Sequence, residues 1–381
     1  MMARARAKTK EAPPFPGREH VLGQDAALDT LKAAITSGRL ASSWIFHGPE
    51  GVGKRTTAAR LARLLLEPNG TPQEIDDFSP PAQSATQDLV DAGTHPDLVL
   101  ITKEMSAVSQ ISRLRDKKQM DIPVDLLREH MIGGLVKQEN KVFEPAVYHT
   151  PAMGPRRIFI IDEADLLNHT GQNALLKTLE EPPPTSVIIL LTTSPDRLLP
   201  TIRSRCQRLA FRRLDEESMS KWMTQTQPGN SDDDMSWAIS FADGSPGRLL
   251  FALEHGLINW HEIIESGVAA LMDGHFPAEF SQDLSGLIDE FAKVKEKANR
   301  KISKEAAKRE GLDAVLAMIA AGIRNRMHEA IDQGDHARAE TTARSIDHLV
   351  EAERRMGRSL SQKLVLADMT AALGETLAGS S

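Results

Sequence analysis

A glycine-rich run is the part of the sequence whose residue types and spacing point most directly to chemistry. It reads GPEGVGK over residues 48–54, after a short apolar segment and before an amphipathic helical pattern. Gly48, Gly51 and Gly53 carry no Cβ, so backbone N–H groups can come within hydrogen-bond range of phosphate oxygens. Lys54 would neutralise the terminal phosphates of a nucleotide. The sequence therefore predicts a phosphate-binding loop between a strand and a helix.

The residue after this lysine departs from the usual pattern. A Ser or Thr hydroxyl at that position binds Mg²⁺, and this chain has Arg55 there. Thr56 cannot take over the role, because one step along a helix rotates a side chain by about 100°. Hydrolysis depends on Mg²⁺ more than docking of the nucleotide does. The sequence therefore leaves binding of ATP and Mg²⁺ open and argues against turnover by this chain alone.

Two acidic residues follow a second apolar run, RIFII, which we interpret as a buried strand. Asp162 would lie near a nucleotide-bound Mg²⁺, and Glu163 could polarise an attacking water. Solvated acids at a strand end are the simpler interpretation, but the phosphate loop upstream favours the functional one. The next apolar run precedes Thr192-Thr193-Ser194. A polar side chain there either caps the strand, or contacts a γ-phosphate or positions a water.

An arginine stands just before the last predicted strand, in Ser204-Arg205-Cys206. A surface arginine is most often solvated or ion-paired. Presented across a subunit interface, however, Arg205 could stabilise transition-state charge at the nucleotide of a neighbouring subunit. Cys206 is the only cysteine, which excludes a disulfide framework and a cysteine-based zinc site. We expect its side chain to be a small buried apolar group.

Apolar runs alternate with helical patterns from about residue 20 to 213, which predicts an α/β domain with a parallel sheet. The candidate strands are 43–46, 97–101, 157–161, 187–191 and 207–211. Residues 68–87 predict a loop or an insertion, and a helix is expected to start near Asp125. Helical periodicity dominates the remainder, which we divide into domains at 214–274 and 275–381. Residues 1–19 are basic and proline-rich and predict a disordered tail.

Composition limits the class of protein. The 381 residues carry 46 Lys and Arg against 53 Asp and Glu, a formal net charge of −7. This balance argues against a free-standing basic nucleic-acid binder. No apolar run approaches the roughly 20 residues needed to span a bilayer. Together with the single cysteine, these features predict a soluble cytoplasmic protein.

The motifs, taken in order, resemble those of bacterial clamp-loader AAA+ proteins. They are the phosphate loop, GTHPD at 93–97, DEAD at 162–165, NALLKTLEEPP at 173–183 and SRC at 204–206. The resemblance covers about residues 20–250, and it is strongest to the δ′ subunits of the DNA polymerase III clamp loader. The helical C-terminal third is similar only in length and character.

This resemblance implies an α/β P-loop domain of the AAA+ type at 20–213, a small helical lid at 214–274 and a helical collar for oligomerisation at 275–381. It implies a hetero-oligomeric ring with γ/τ motor subunits and a δ subunit, which loads the sliding clamp onto primed DNA. In that family δ′ is a rigid, usually non-hydrolysing member, in agreement with Arg55. Its arginine finger maps onto Arg205, and its nucleotide-sensor positions map onto Thr193 and Arg248.

Two departures from the family pattern affect this interpretation. Many members carry a four-cysteine zinc module after the phosphate loop, and this chain has no cysteine there, so we expect no bound metal at that place. The segment 104–150 is longer and more polar than the pattern. An active AAA+ motor subunit of the γ/τ type is the alternative function, and an unrelated phosphate-loop binding module is a third. Arg55 and the absent cysteines argue against the motor.

Overall fold

The protein was analysed as a computed structural model that describes residues 20–228, 232–277, 279–298, 302–356 and 361–378. The predicted tail, 1–19, lies outside the described residues. The chain divides into two compact units. The first runs up to Arg115 and continues over Asp121–Trp222, and the second comprises Asp116–Met120 and Met223–Ser381. Within the described ranges, no helix is long and apolar enough to cross a membrane.

A five-stranded parallel sheet forms the centre of the first unit. The strands of the chain are β1 (Ser43–His47), β2 (Leu98–Ile101), β3 (Gly134–Val136), β4 (Lys141–Phe143), β5 (Arg157–Ile161), β6 (Ser186–Thr192) and β7 (Gln207–Ala210). The sheet has the order β2-β5-β6-β1-β7, and β3 pairs with β4 in a separate antiparallel hairpin. The five predicted strands are all present, so the predicted parallel α/β fold followed by helices is confirmed.

Helices flank this sheet. Those before the mainly helical C-terminal part are α1 (Asp25–Thr36), α2 (Lys54–Leu66), α3 (Pro72–Asp76), α4 (Ala85–Asp91), α5 (Ser112–Asp116), α6 (Val124–Leu127), α7 (His169–Glu180), α8 (Pro200–Arg203) and α9 (Glu216–Thr226). Short 3₁₀ helices cover Lys103–Val108, Ala146–Tyr148, Ala164–Leu166 and Pro195–Arg197, and a π-helical turn at Arg128–Ile132 follows α6.

Each face of the sheet has its own apolar core, because successive residues of a strand point to opposite faces. On one face Ile158 of β5 belongs to the same core as Leu61 of α2. On the other face Phe159 belongs to the same core as Leu175 of α7. Both β5 and β6 are buried along their whole length, as their continuous apolar sequences predict. These cores fix the ends of α2 and α7 relative to the strands.

A buried polar network holds α4 against α2. The Arg63 side chain is fully buried; its Nη1 donates to Oε1 of Gln87 at 2.9 Å, and its Nη2 pairs with Oδ1 of Asp91 at 2.6 Å. Gln87 is also fully buried and donates from Nε2 to the carbonyl oxygen of Arg63. The stretch predicted as a loop, 68–87, therefore contains α3 and the start of α4. Paired polar side chains bind it to the domain.

The segment 104–150 contains a small core of its own. Ile111, Leu114, Leu126 and Val136 are fully buried and form one cluster. The helix expected near Asp125 is present as α6 and spans only four residues before the π-helical turn. The additional length of this segment is therefore folded structure.

The second unit is helical. Its helices are α10 (Asp232–Ala242), α11 (Pro246–Glu254), α12 (Ile258–Met272), α13 (Phe280–Ala298), α14 (Lys304–Asp332), α15 (His336–Arg344), α16 (Ile346–Met356) and α17 (Gln362–Ala378). One apolar cluster includes Phe241 and Leu257 together with Leu284, Ile319 and Val365. This cluster contains residues from both sides of position 274, where we place the boundary between lid and collar. The division into these two domains therefore stays a prediction.

Replacing Arg63 by alanine should lower the free energy of unfolding of the first unit by about 2 kcal/mol, because the buried Oε1 of Gln87 loses its donor and the partly exposed Asp91 loses this ion pair. Hydrogen exchange of the β1 and β5 amides reports this quantity for the first unit alone. Arg39→Ala, at an exposed position, should change it by less than about 0.5 kcal/mol. Equal stability of the two variants would contradict the structural role of Arg63.

Candidate functional site

The predicted phosphate loop connects the carboxyl end of β1 to α2, which begins at Lys54. Gly48, Gly51 and Gly53 have φ angles of +144°, +71° and +99°, which glycine adopts without strain. A Cβ on Gly48 would lie 2.2 Å from the carbonyl oxygen of Phe211. The backbone after β7 therefore packs directly against the loop, and only glycine fits at position 48.

A buried glutamine also contacts this loop. Nε2 of Gln24 donates to the carbonyl oxygens of Val52, at 3.2 Å, and Arg212, at 2.7 Å. Its Oε1 accepts the N–H of Arg212 at 3.1 Å. The sequence carries no signal for this contact, because Gln24 and Arg212 are 188 residues apart. Gln24 thus fixes the phosphate loop to the backbone that follows β7.

Lys54 is almost fully buried at the start of α2. Its Nζ donates to the carbonyl oxygens of Gly48, at 2.8 Å, and Pro49, at 2.5 Å. Burial lowers the pKa of Lys54 to about 8, against the opposing effect of nearby Glu50 and Asp162. The amine is therefore mostly charged at pH 7, and a phosphate would have to replace these carbonyl oxygens as its partner.

Arg55 forms an ion pair with Asp162, with 3.4 Å between Nη1 and Oδ2. Burial raises the pKa of Asp162, and the positive charge of Arg55 opposes that rise. The next buried hydroxyl of α2, on Thr57, donates to the carbonyl oxygen of Gly53 at 2.9 Å. Mg²⁺ requires oxygen ligands in octahedral geometry, whereas here a guanidinium lies beside the acid. The residues present do not fit a Mg²⁺ ion.

Glu163 is also paired with a cation. Its Oε1 lies 2.7 Å from Nζ of Lys103, which follows β2. Burial raises the pKa of Glu163, and the hydrogen bond and charge of Lys103 counteract this rise. The sequence carries no signal for Lys103, because its proximity to Glu163 results from the parallel pairing of β2 with β5. Both acids predicted for catalysis therefore have basic partners from the same chain.

The strand end predicted to contact a γ-phosphate has a structural hydrogen bond. Thr192, the last residue of β6, is buried, and its hydroxyl donates to Oδ1 of Asp165 at 2.7 Å. Thr193, the sensor position that the resemblance implies, is exposed one residue beyond the strand. Thr192 thus ties the carboxyl end of β6 to the acidic segment after β5.

Arg248, the second implied sensor, lies in the first turn of α11 in the second unit. Its guanidinium carbon is 4.8 Å from the ring centroid of Phe241, a cation–π distance. The hydroxyl of Ser245 accepts the backbone N–H of Arg248 at 3.2 Å and caps the helix. These contacts lie within the second unit.

Arg205 lies at the edge of the sheet opposite the phosphate loop. It precedes β7, whose first residue, Gln207, pairs with Trp44 of β1. Gly48 lies four residues after Trp44, which corresponds to about 13 Å along the strand. Nη2 of Arg205 lies 2.7 Å from Oε1 of Glu180, on the side away from that loop. Arg205 therefore cannot serve the phosphate loop of its own chain.

The neighbouring Cys206 is nearly buried, and burial raises the pKa of its thiol to about 12. A thiol with this pKa is not a nucleophile at neutral pH. Over the described parts of the chain, no group of three or more His, Cys, Asp or Glu side chains is arranged to hold a metal ion.

The family model described as "DNA polymerase III, delta subunit" matches residues 23–215, just over half of the chain. The chain belongs to this family. The match covers the sheet and the loop but ends before the helical part of the second unit that starts at Met223. The resemblance to clamp-loader proteins is confirmed.

Curated relatives carry two kinds of name. The DNA polymerase III subunit gamma/tau of Mycobacterium bovis is 28% identical over 246 residues, covering 61% of this chain and 36% of that protein. The subunit delta′ of Pseudomonas aeruginosa is 28% identical over 206 residues, covering 54% of each chain. The chain thus spans between about a third and half of the length of these relatives. Equal identity to both leaves the subunit type open.

A solved structure of a DNA polymerase III gamma-subunit-related protein from Thermotoga maritima is also similar. It covers 92% of this chain and 99% of its own, with 19% identity and a TM-score of 0.39.

The GTHPD segment of the family pattern has a structural role in this chain. Asp97 is fully buried, and its carboxylate accepts the backbone N–H groups of residues 152–154. Its Oδ1 also accepts from Nε of Arg157 at 3.2 Å and Nη2 at 3.0 Å. These hydrogen bonds lower the pKa of Asp97 although burial by itself would raise it. The segment therefore fixes the start of β5.

Asp97→Asn should lower the free energy of unfolding of the first unit by about 2–3 kcal/mol at pH 7, because the charge that pairs with Arg157 is lost. Since the folded-state pKa of Asp97 is lowered, this difference in unfolding free energy should have its full size at pH values above the unfolded-state pKa of about 3.9. It should shrink as the pH falls through the folded-state pKa. Unfolding titrations of both proteins from pH 7 to 3 measure it.

The exposed Asp29 provides a control, since Asp29→Asn should change stability by less than about 0.5 kcal/mol. A difference between native and Asp97→Asn proteins that grows towards low pH would contradict this account of Asp97.

Proposed function

We propose that this chain is a δ′-type subunit of the bacterial DNA polymerase III clamp loader, a non-motor member that helps load the sliding clamp onto primed DNA. The observation that carries the proposal is the ion pair between Arg55 and Asp162. A guanidinium beside this acid takes the place where a motor subunit needs a metal ion. The pair of Lys103 and Glu163 supports the same conclusion, because it neutralises the acid that would activate water.

In this proposal Arg205 contributes to catalysis on a neighbouring subunit. Arginine presents a permanent charge and several N–H donors in a planar fork that suits phosphate oxygens. Arg205 lies at the amino end of β7, away from the phosphate loop of its own chain, so a nucleotide that it contacts belongs to another subunit. An arginine supplied in trans stabilises the charge that develops on the transferred phosphoryl group.

The proposed partners follow from the family. They are γ/τ motor subunits, a δ subunit, the sliding clamp, and primed DNA reached through the assembled complex. The formal net charge of −7 favours contact with DNA through the complex over tight binding by the isolated chain. A cytoplasmic location, with no membrane partner, belongs to this proposal.

An active γ/τ-type motor is the second candidate function. The three glycines with positive φ and the buried Lys54 favour it, because they form a phosphate loop of the ordinary shape. The relatives named gamma/tau are as similar as the relative named delta′. Arg55 argues against it.

The purified chain should bind a fluorescent ATP analogue weakly or not at all, and should release no phosphate in the presence of Mg²⁺. The physical reason is that Arg55 occupies the side of Asp162 that would face the metal. Phosphate release and fluorescence anisotropy measure the two properties, with Lys54→Ala and Arg55→Thr tested in parallel. Turnover by the native chain that Lys54→Ala abolishes would make the protein a motor.

Arg205→Ala should leave assembly intact and slow ATP hydrolysis at the adjacent motor site by at least about 10-fold, because transition-state charge loses its partner. Single-turnover hydrolysis by the reconstituted complex on primed DNA measures this. Arg208→Ala removes the same charge from an exposed position three residues away and is the control. Equal rates for native and Arg205→Ala complexes would disprove the role in trans.

A further inference from the structure

An acidic side chain holds Arg205 at the edge of the sheet. Oε1 of Glu180, the last residue of α7, lies 2.7 Å from Nη2 of Arg205. Nη1 of the same guanidinium donates to the carbonyl oxygen of Thr201 at 2.8 Å and lies 3.4 Å from the hydroxyl of Ser204. A guanidinium carries five N–H donors, more than these contacts use. Arg205 is therefore oriented and still has donors for a further acceptor.

The backbone that carries Glu180 is firmly anchored. Leu175 and Leu179 of α7 are buried in the core on one face of the sheet. Gln172, also buried, donates to the carbonyl oxygens of Leu167 and Arg197. Three prolines follow at 182–184 and prevent the helix from continuing. The core therefore sets the position of the Glu180 backbone.

A polar cavity of about 340 Å³ opens beside this pair. Pro182, two residues after Glu180, forms one part of its wall, and Ser204 and Arg205 form another. Ser43, at the amino end of β1, also lines it, although its hydroxyl oxygen is buried. An anionic group entering here would meet the guanidinium of Arg205.

We propose that Glu180 is a positioning residue, which orients the Arg205 guanidinium towards this cavity so that its N–H groups donate to a phosphate group of the nucleotide on the neighbouring subunit. This inference rests on the proposed function of Arg205. An unrestrained arginine loses much side-chain freedom when it binds phosphate, and the contacts with Glu180 and Thr201 remove part of that freedom beforehand. Glu180 and Arg205 are both partly exposed, and ion pairs of this kind are weak. A phosphate can therefore bind the guanidinium donors that remain free without first breaking a strong ion pair.

A double-mutant cycle in the reconstituted complex tests the proposal. Glu180→Ala should slow single-turnover ATP hydrolysis about 2- to 5-fold, the range that an exposed ion pair allows, with an unchanged KM for ATP. In an Arg205→Ala background the same change should have no further effect, because Glu180 acts only through the arginine. Glu180→Gln keeps the acceptor oxygen and should stay within about twofold of the native rate.

Glu181→Ala is the matched control, since it removes the same charge one residue further along at an exposed position. It should leave the rate unchanged, and thermal unfolding should show equal stability for all these variants. A faster rate for Glu180→Ala would mean that the carboxylate competes with the phosphate, and an effect that persists without Arg205 would mean a structural role; either would overturn the proposal.

The cycle separates this inference from the proposed function. Unchanged hydrolysis with Arg205→Ala would disprove the contribution in trans, and Glu180 would have no role in it. Slower hydrolysis with Arg205→Ala and a native rate with Glu180→Ala would disprove the positioning role alone.

Discussion

The parallel direction of the five strands is the constraint on which the chemistry of this chain depends. All carboxyl ends lie at one edge of the sheet, so the phosphate loop after β1 meets the acids after β5 and Lys103 after β2. All amino ends lie at the opposite edge, where Arg205 precedes β7. One chain therefore presents a nucleotide-type loop at one edge and an arginine paired with Glu180 at the other, and the proposed role of Arg205 in trans rests on this separation.

Ion pairs within the chain balance the charges at the edge of the sheet that carries the phosphate loop. Arg55 and Lys103 neutralise Asp162 and Glu163, while Lys54 donates to carbonyl oxygens of its own loop. Each of these charges is partly buried, and a buried charge is costly unless it is paired. With basic side chains as partners, the acids do not require a metal ion to be stable. The loop thus has the backbone conformation of a phosphate site, but the acids beside it are paired with basic side chains.

Several polar residues, some of them within the sequence motifs, stabilise the fold. Asp97 accepts hydrogen bonds from backbone N–H groups and from the guanidinium of Arg157. Arg63 connects α2 to α4 through its ion pair with Asp91. Thr192 binds Asp165 and so connects the ends of two neighbouring strands. A buried polar side chain must satisfy its hydrogen bonds whatever its catalytic value, so a motif by itself does not distinguish the two roles.

The sequence by itself determined the strands, since continuous apolar runs are stable only when both faces of the sheet are covered. It also determined the phosphate loop, since the glycine spacing limits the backbone conformation. It also revealed Arg55 at the metal position. Only the tertiary structure decided which charges meet: Lys103 reaches Glu163, Glu180 reaches Arg205, and Gln24 reaches the backbone after β7. These partners are distant along the chain, and strand order and helix packing, which local sequence does not encode, bring them together.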